Sequence, residues 1–141
     1  MPPRSLNLAR TRLCTCSALR RASRAVTAHY EHHFRGSGLR ATQFTILSHL
    51  AQTGPIAMTE LAVLLGMERT TLTRNLSLLS SKAWITAAEA PDGRVRKVAI
   101  TARGEAMVAK TMPRWLAAEA SVHRLLKELR LPQLPPLQVQ A

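Results

Sequence analysis

Aspartate occurs once in the 141 residues, as Asp92, and only seven glutamates accompany it. A paired-carboxylate acid/base centre or a Ser/His/Asp arrangement has little to draw on. Neither GxGxxG nor a GxxxxGK loop is present to cradle phosphates, so no nucleotide cofactor and no enzyme are expected. Two cysteines are too few for a disulfide framework. Residues 1–6 lack the long apolar run of a signal peptide, and a cytoplasmic location is expected. No stretch approaches the eighteen or so uncharged apolar residues of a membrane span.

What is abundant is positive charge. The sequence carries 20 Lys plus Arg against 8 Asp plus Glu, a formal +12, on the length of one ordinary domain. Residues 1–53 hold eight arginines and a single glutamate. Such a field attracts polyanions, with nucleic acid and anionic membrane as the candidates.

From Leu13 to Phe34 there is no glycine or proline. At 100° per residue Cys16, Leu19, Ala22, Val26, Tyr30 and Phe34 share an arc of roughly 120°, which predicts an amphipathic helix with Arg20, Arg21, Arg24 and Glu31 opposite. Gly36-Ser37-Gly38 ends it. A second helix is predicted from Ala41 to Gln52, stopping at Gly54-Pro55. Two shorter ones follow, Thr59–Leu65 with Gly66 as the stop and Met67 as its apolar contact, then Arg69–Lys82. On the latter, Leu72, Leu76 and Leu79 form the stripe to be buried, and the adjoining arc of about 140° holds only Arg69, Thr70, Thr73, Arg74 and Ser77. That face offers donors and no acid.

After Trp84 the period changes. Ile85–Ala87 and Val95–Ile100 read as strands joined through Pro91-Asp92-Gly93, a hairpin whose tip carries Arg94, Arg96 and Lys97. Thr101 is placed to cap a long helix from Ala102 to Leu129, in which Val108, Trp115, Val122 and Leu129 recur every seven residues with Ala118 and Leu125 between. Such a seam requires another helix, and Pro113 stands at a kink position. The fold class is mainly α with a small β-hairpin. Helix, short helix, turn, helix and basic hairpin is the order of a winged helix-turn-helix, in which arginine and small hydroxyls meet the acceptors of the major groove and a basic wing meets the narrow, negative minor groove.

The segments Leu39-Arg40-Ala41-Thr42-Gln43-Phe44, Thr59-Glu60-Leu61-Ala62, Leu65 to Leu76, and Asp92-Gly93-Arg94 leading to Ile100-Thr101 and Gly104 resemble the MarR family of bacterial transcriptional regulators. The resemblance spans residues 13–120. It implies a homodimer, with residues 1–38 and 102–130 as terminal dimerisation helices and 39–101 as the winged helix-turn-helix; residues 131–141 depart from the family as a Pro-rich tail where a further C-terminal dimerisation helix is usual. It further implies sequence-specific binding to a palindromic operator in duplex DNA, repression of transcription, and release by a small-molecule, metal or redox effector. Thr70, Thr71, Thr73, Arg74 and Asn75 fall where the family places groove contacts, and Arg94 at the wing-tip arginine. Glu68 stands where a capping Asp is common.

An effector site between the dimerisation helices and the DNA-binding lobe would include His29, Tyr30, His33 and Phe44, a wall suited to a small aromatic acid. His29, His32 and His33 have the spacing that lets two imidazoles meet a metal, but no nearby Cys or Asp completes a set, and no metal is expected. On a continuous helix Cys14 and Cys16 diverge by about 200°, so an internal disulfide would require unwinding. Cys16 shares the arc of Leu19 and is expected to be a buried small hydrophobe; Cys14 points away. A redox or soft-metal trap at the pair stays open, as do a non-sensing basic DNA binder and a protein-interaction module on the same fold.

Overall fold

The structure is a computed structural model that describes residues 8–89, 93 and 96–128. The glycine-free N-terminal run folds as a 3-10 turn, Leu8–Leu13, and then helix α1, Thr15–Phe34. Helix α2 covers Ala41–Thr53. Its first turn is capped from two sides: Gln43 Oε1 accepts the backbone N–H of Arg40 at 3.0 Å, and Glu31 Oε1 accepts that of Ala41 at 3.0 Å. Glu31 Oε2 also pairs with Arg40 Nε at 3.0 Å. One carboxylate thereby pins α1 to the positive end of α2.

Strand β1, Ile56–Ala57, leads into α3, Met58–Leu65. Gly66 ends α3 in the left-handed conformation, φ 60° and ψ 33°, and the N–H of Met67 reaches back to Ala62 O at 2.9 Å. This is the double closure of a Schellman motif. Helix α4, Arg69–Ser81, ends the same way, with Trp84 N–H on Leu79 O at 3.1 Å, but there the left-handed residue is Ala83, φ 57°. An L side chain with its Cβ in this region is strained by about 1–2 kcal/mol. Ala83→Gly is therefore expected to stabilise the fold, by about 0.5–1 kcal/mol once the extra freedom of glycine in the unfolded chain is subtracted. Chemical unfolding measures it; a loss of stability would contradict the strain.

Strands β2, Ile85–Glu89, and β3, Arg96–Ile100, pair antiparallel from Ile85 opposite Ile100 to Glu89 opposite Arg96. β1 adds on the other side of β3, giving the order β1-β3-β2. Helix α5, Ala102–Glu128, begins where Thr101 Oγ1 accepts the Gly104 N–H at 3.1 Å while donating to Ala83 O at 2.7 Å. The core gathers Phe34, Phe44, Ile46, Leu47, Leu50, Leu61, Leu72, Leu79, Trp84 and Val108 beneath these elements.

The structure departs from the sequence reading in several places. Strand β1 was not anticipated, and β2 runs two residues further than Ala87. The helix that the α5 seam requires is in part α1 of the same chain, with Val108, Ala118 and Val122 buried as the repeat implies, but Leu125 of the same seam is 39% exposed. Cys16 is exposed rather than buried, because the N-terminal turns of α1 carry their apolar stripe without a covering element in the protomer. Pro91, Asp92, Arg94, Leu129 and the Pro-rich tail lie outside the described residues.

Candidate nucleic-acid interface

Burial of Leu72, Leu76 and Leu79 fixes the rotation of α4, and the opposite arc is thereby presented to solvent. Arg69, Thr70, Thr73, Arg74 and Ser77 are all exposed there. Among the described residues neither arginine has an ion pair or a hydrogen bond from its guanidinium. Both retain five unused donors. Thr73 Oγ donates to Arg69 O at 2.8 Å and Ser77 Oγ to Thr73 O at 3.0 Å. These hydroxyls are held by their own helix, yet their lone pairs stay free and a short rotation redirects the proton. Thr71 and Asn75 sit beyond Arg74 on the flank, linked by a bond from Asn75 Nδ2 to Thr71 O at 2.9 Å. Glu68, the residue before α4, makes no side-chain cap bond.

Alternation along β3 separates the two described wing cations. Arg96 shares a side with Val98 and Ile100, which pack toward the core; Lys97 points to the other side. Val98 also lines an open groove of about 550 Å³ between α4 and the sheet, whose other walls include Thr73, Ser77 and Thr86. Arg96 thus stands on the α4 side of the wing. Met58 at the start of α3 also reaches this surface, its Sδ lying 3.7 Å from Thr73 Oγ.

Of the four residues expected around an effector, Tyr30 and Phe44 line a cavity of about 320 Å³ between α1, α2 and α5, together with Phe34, Trp115, Thr42 and Met67. His29 and His33 do not line it. One helical turn apart, they face α5, with Nε2 atoms 2.6 and 3.4 Å from Ser121 Oγ. Burial, and then the neighbouring His29 and His32, hold the His33 pKa below its usual value. Trp115 and Met67 were not expected in the wall: helical period identifies the face of Trp115 but not the aromatic ring that meets it, here Phe44 stacked at 6.2 Å.

Tyr30 joins the cavity to the helix seam by donating its phenol to Glu119 Oε2. Burial and the Glu119 carboxylate raise the phenol pKa, while the same hydrogen bond and His123, 2.9 Å away, lower that of Glu119. At neutral pH the pair is a neutral phenol on a charged carboxylate. Arg114 closes the far end of the seam by donating to the carbonyls of His33 and Arg35. Both thiols are exposed and free; Cys14 is the extended residue just before α1, so the helical divergence expected between Cys14 and Cys16 does not apply across it.

Among described residues, no helix is long and apolar enough to cross a membrane. No curated protein matches the sequence. The MarR family model matches residues 37–94, from the α1–α2 connection to the hairpin tip. The transcriptional regulator MosR of M. tuberculosis, solved in complex with DNA, is 33% identical with a TM-score of 0.71, the match covering 82% of this chain and 90% of that one. The transcriptional repressor CouR, solved on a 23-mer DNA duplex, shares the fold at a TM-score of 0.72 with 23% identity over 90% of this chain and 89% of its own. So does apo MarR of E. coli, at 0.64 and 20% over 83% and 97%. With the family model set on its helix-turn-helix and 33% identity to a transcriptional regulator over 82% of this chain, the chain belongs to the MarR family of transcriptional regulators.

Proposed function

We propose that the protein is a homodimeric, sequence-specific DNA-binding repressor that reads a palindromic operator with α4 and the wing and is released by an effector. The observation that carries this reading is the exposed arc of α4, where Arg69 and Arg74 stand unpaired among hydroxyls with no acid on the face. It supports bidentate contact with guanine O6 and N7 in the major groove; the proposal adds Arg96 and Lys97 on phosphates and gives Arg94, from the family resemblance, a minor-groove contact. The DNA complexes of MosR and CouR point the same way. Dimerisation has support in the apolar surface left over on α5 and on the turn before α1: Leu13 is 86% exposed, Leu8 62% and Leu116 56%.

Effector control rests on the place of the cavity. Its wall includes Met67, two residues before the first residue of α4, as well as α1 and α5, so an occupant touches both the putting-together of the helices and the base of the reading helix. A ligand that binds the DNA-incompetent arrangement more tightly shifts the population away from DNA. The exposed thiols of Cys14 and Cys16 favour a second trigger, oxidant or a soft metal, acting at the end of α1.

Footprinting of the purified chain on genomic DNA tests the reading. Protected stretches with dyad symmetry are expected, with half-site centres about one helical turn apart. Protection without symmetry or sequence preference would overturn it in favour of a non-sensing basic binder.

A further inference from the structure

Glu31 is the first acidic residue of the sequence, and six arginines precede it. Three of them, Arg20, Arg21 and Arg24, share an arc of about 100° on α1, opposite the stripe of Leu19, Val26 and Tyr30. All three are exposed, and among the described residues none has an ion pair or a hydrogen bond from its guanidinium. Glu31, the one carboxylate on the same face of the helix, is taken up by the start of α2: it accepts the Ala41 N–H and pairs with Arg40. Like charges one turn apart repel, so the row is unfavourable to the helix by itself and is relieved by a polyanion.

The row stands apart from the α4 arc and the wing. Tyr30 meets Glu119, and Arg114 donates to the carbonyls of His33 and Arg35, so α1 runs antiparallel to α5. Arg20, Arg21 and Arg24 therefore lie beside the part of α5 that follows Glu119, about 25 Å or more along that helix from its start at Ala102, next to the wing. α1 packs against α5 and α2, whereas α4 packs against α3 and β2. The only other residues on the arginine face of α1 are Ser17, Ala28 and Glu31, which give a bilayer no apolar side chain to take in. Guanidiniums on flexible stems, one turn apart and free of acids, fit successive phosphodiesters instead. We propose that this face of α1 binds the phosphate backbone of a second DNA duplex, whatever its sequence, so that a chain held on one duplex by α4 and the wing bridges to another. The inference goes beyond the operator reading and does not require it, since the first duplex can be held by sequence or by charge.

The test uses the full-length protein and two duplexes. One is tethered to beads and retains the chain; the other, fluorescent and of scrambled sequence, is added in solution, and its capture on the beads is measured. The wild type is expected to capture it, with an affinity that falls roughly 40-fold between 50 and 200 mM salt if three phosphates are neutralised. The triple variant Arg20→Ala, Arg21→Ala, Arg24→Ala is expected to lower capture at least tenfold while holding the tethered duplex within about twofold of the wild type. Undiminished capture by the triple variant, or no capture by the wild type, would overturn the proposal. So would a parallel loss of affinity for the tethered duplex, which would put the arginines on the first duplex, or a change of mass in sedimentation, which would put them between protomers. Tighter binding of the wild type to phosphatidylglycerol vesicles than to scrambled duplex at equal phosphate would overturn it in favour of a lipid surface.

Discussion

Gly104→Ala is expected to cost about 3 kcal/mol of folding stability, the upper part of the range for forcing atoms into a packed site. A Cβ on Gly104 would lie 2.2 Å from the carbonyl oxygen of Trp84 and 2.7 Å from Cγ1 of Ile100. Neither neighbour is free to yield. The Trp84 carbonyl accepts the Thr101 N–H at 3.0 Å, and Ile100 is fixed by its pairing with Ile85 across the hairpin. The first turn of α5 can lie against the start of β2 only because residue 104 has no side chain, so the substitution must tilt α5 or part the hairpin. Denaturant unfolding at constant m measures the loss. A change below about 1 kcal/mol would show that the contact relaxes and that the packing at this corner is looser than described.

Arg74→Ala is expected to weaken binding to the specific duplex by about 1–3 kcal/mol, and to do so unevenly across sequences. Its guanidinium stands free at the edge of the α4 arc, so alanine removes donors without leaving a buried carboxylate behind. Discrimination at the base pair it reads should collapse, while binding to scrambled duplex falls only by the share of one lost charge. Arg96→Ala, on the wing, is expected to weaken all sequences alike. The check is a set of duplexes substituted one base pair at a time in a half-site. Uniform loss for Arg74→Ala over the whole set would move Arg74 from base reading to phosphate steering.

Local physics made most of the helices legible. Gly66 announced the end of α3 because a left-handed residue is required there, and Thr101 announced α5 because its hydroxyl meets the Gly104 N–H three residues on. The stripe of Leu72, Leu76 and Leu79 was sufficient to orient α4, and with it the arc of Arg69 and Arg74. What failed depends on partners distant in sequence. Two residues, Ile56 and Ala57, have no measurable period, and they form a strand only because β3 offers Val98 and Lys97 to pair with. The α5 repeat called for a helix without saying which, and α1 of the same chain fills much of the role. Cys16 lies on the right face of α1 but beyond the stretch that α5 covers, since a periodicity gives direction and not extent. The cavity was half legible. Tyr30 and Phe44 line it, but His29 and His33 turn to Ser121, and Glu119, 89 residues from Tyr30, carries no local sign of its role.

On the proposed function, the α4 arc and wing recognise a particular DNA sequence rather than charge alone. The most direct measurement is the ratio of affinities of the wild-type chain for a footprinted duplex and for a scrambled duplex of the same composition, at physiological salt. A ratio on the order of a thousand or more is expected, since base readout is retained when salt has weakened the phosphate contacts common to both duplexes. A ratio near one would contradict that function, and would leave the +12 chain as a binder of phosphate backbones.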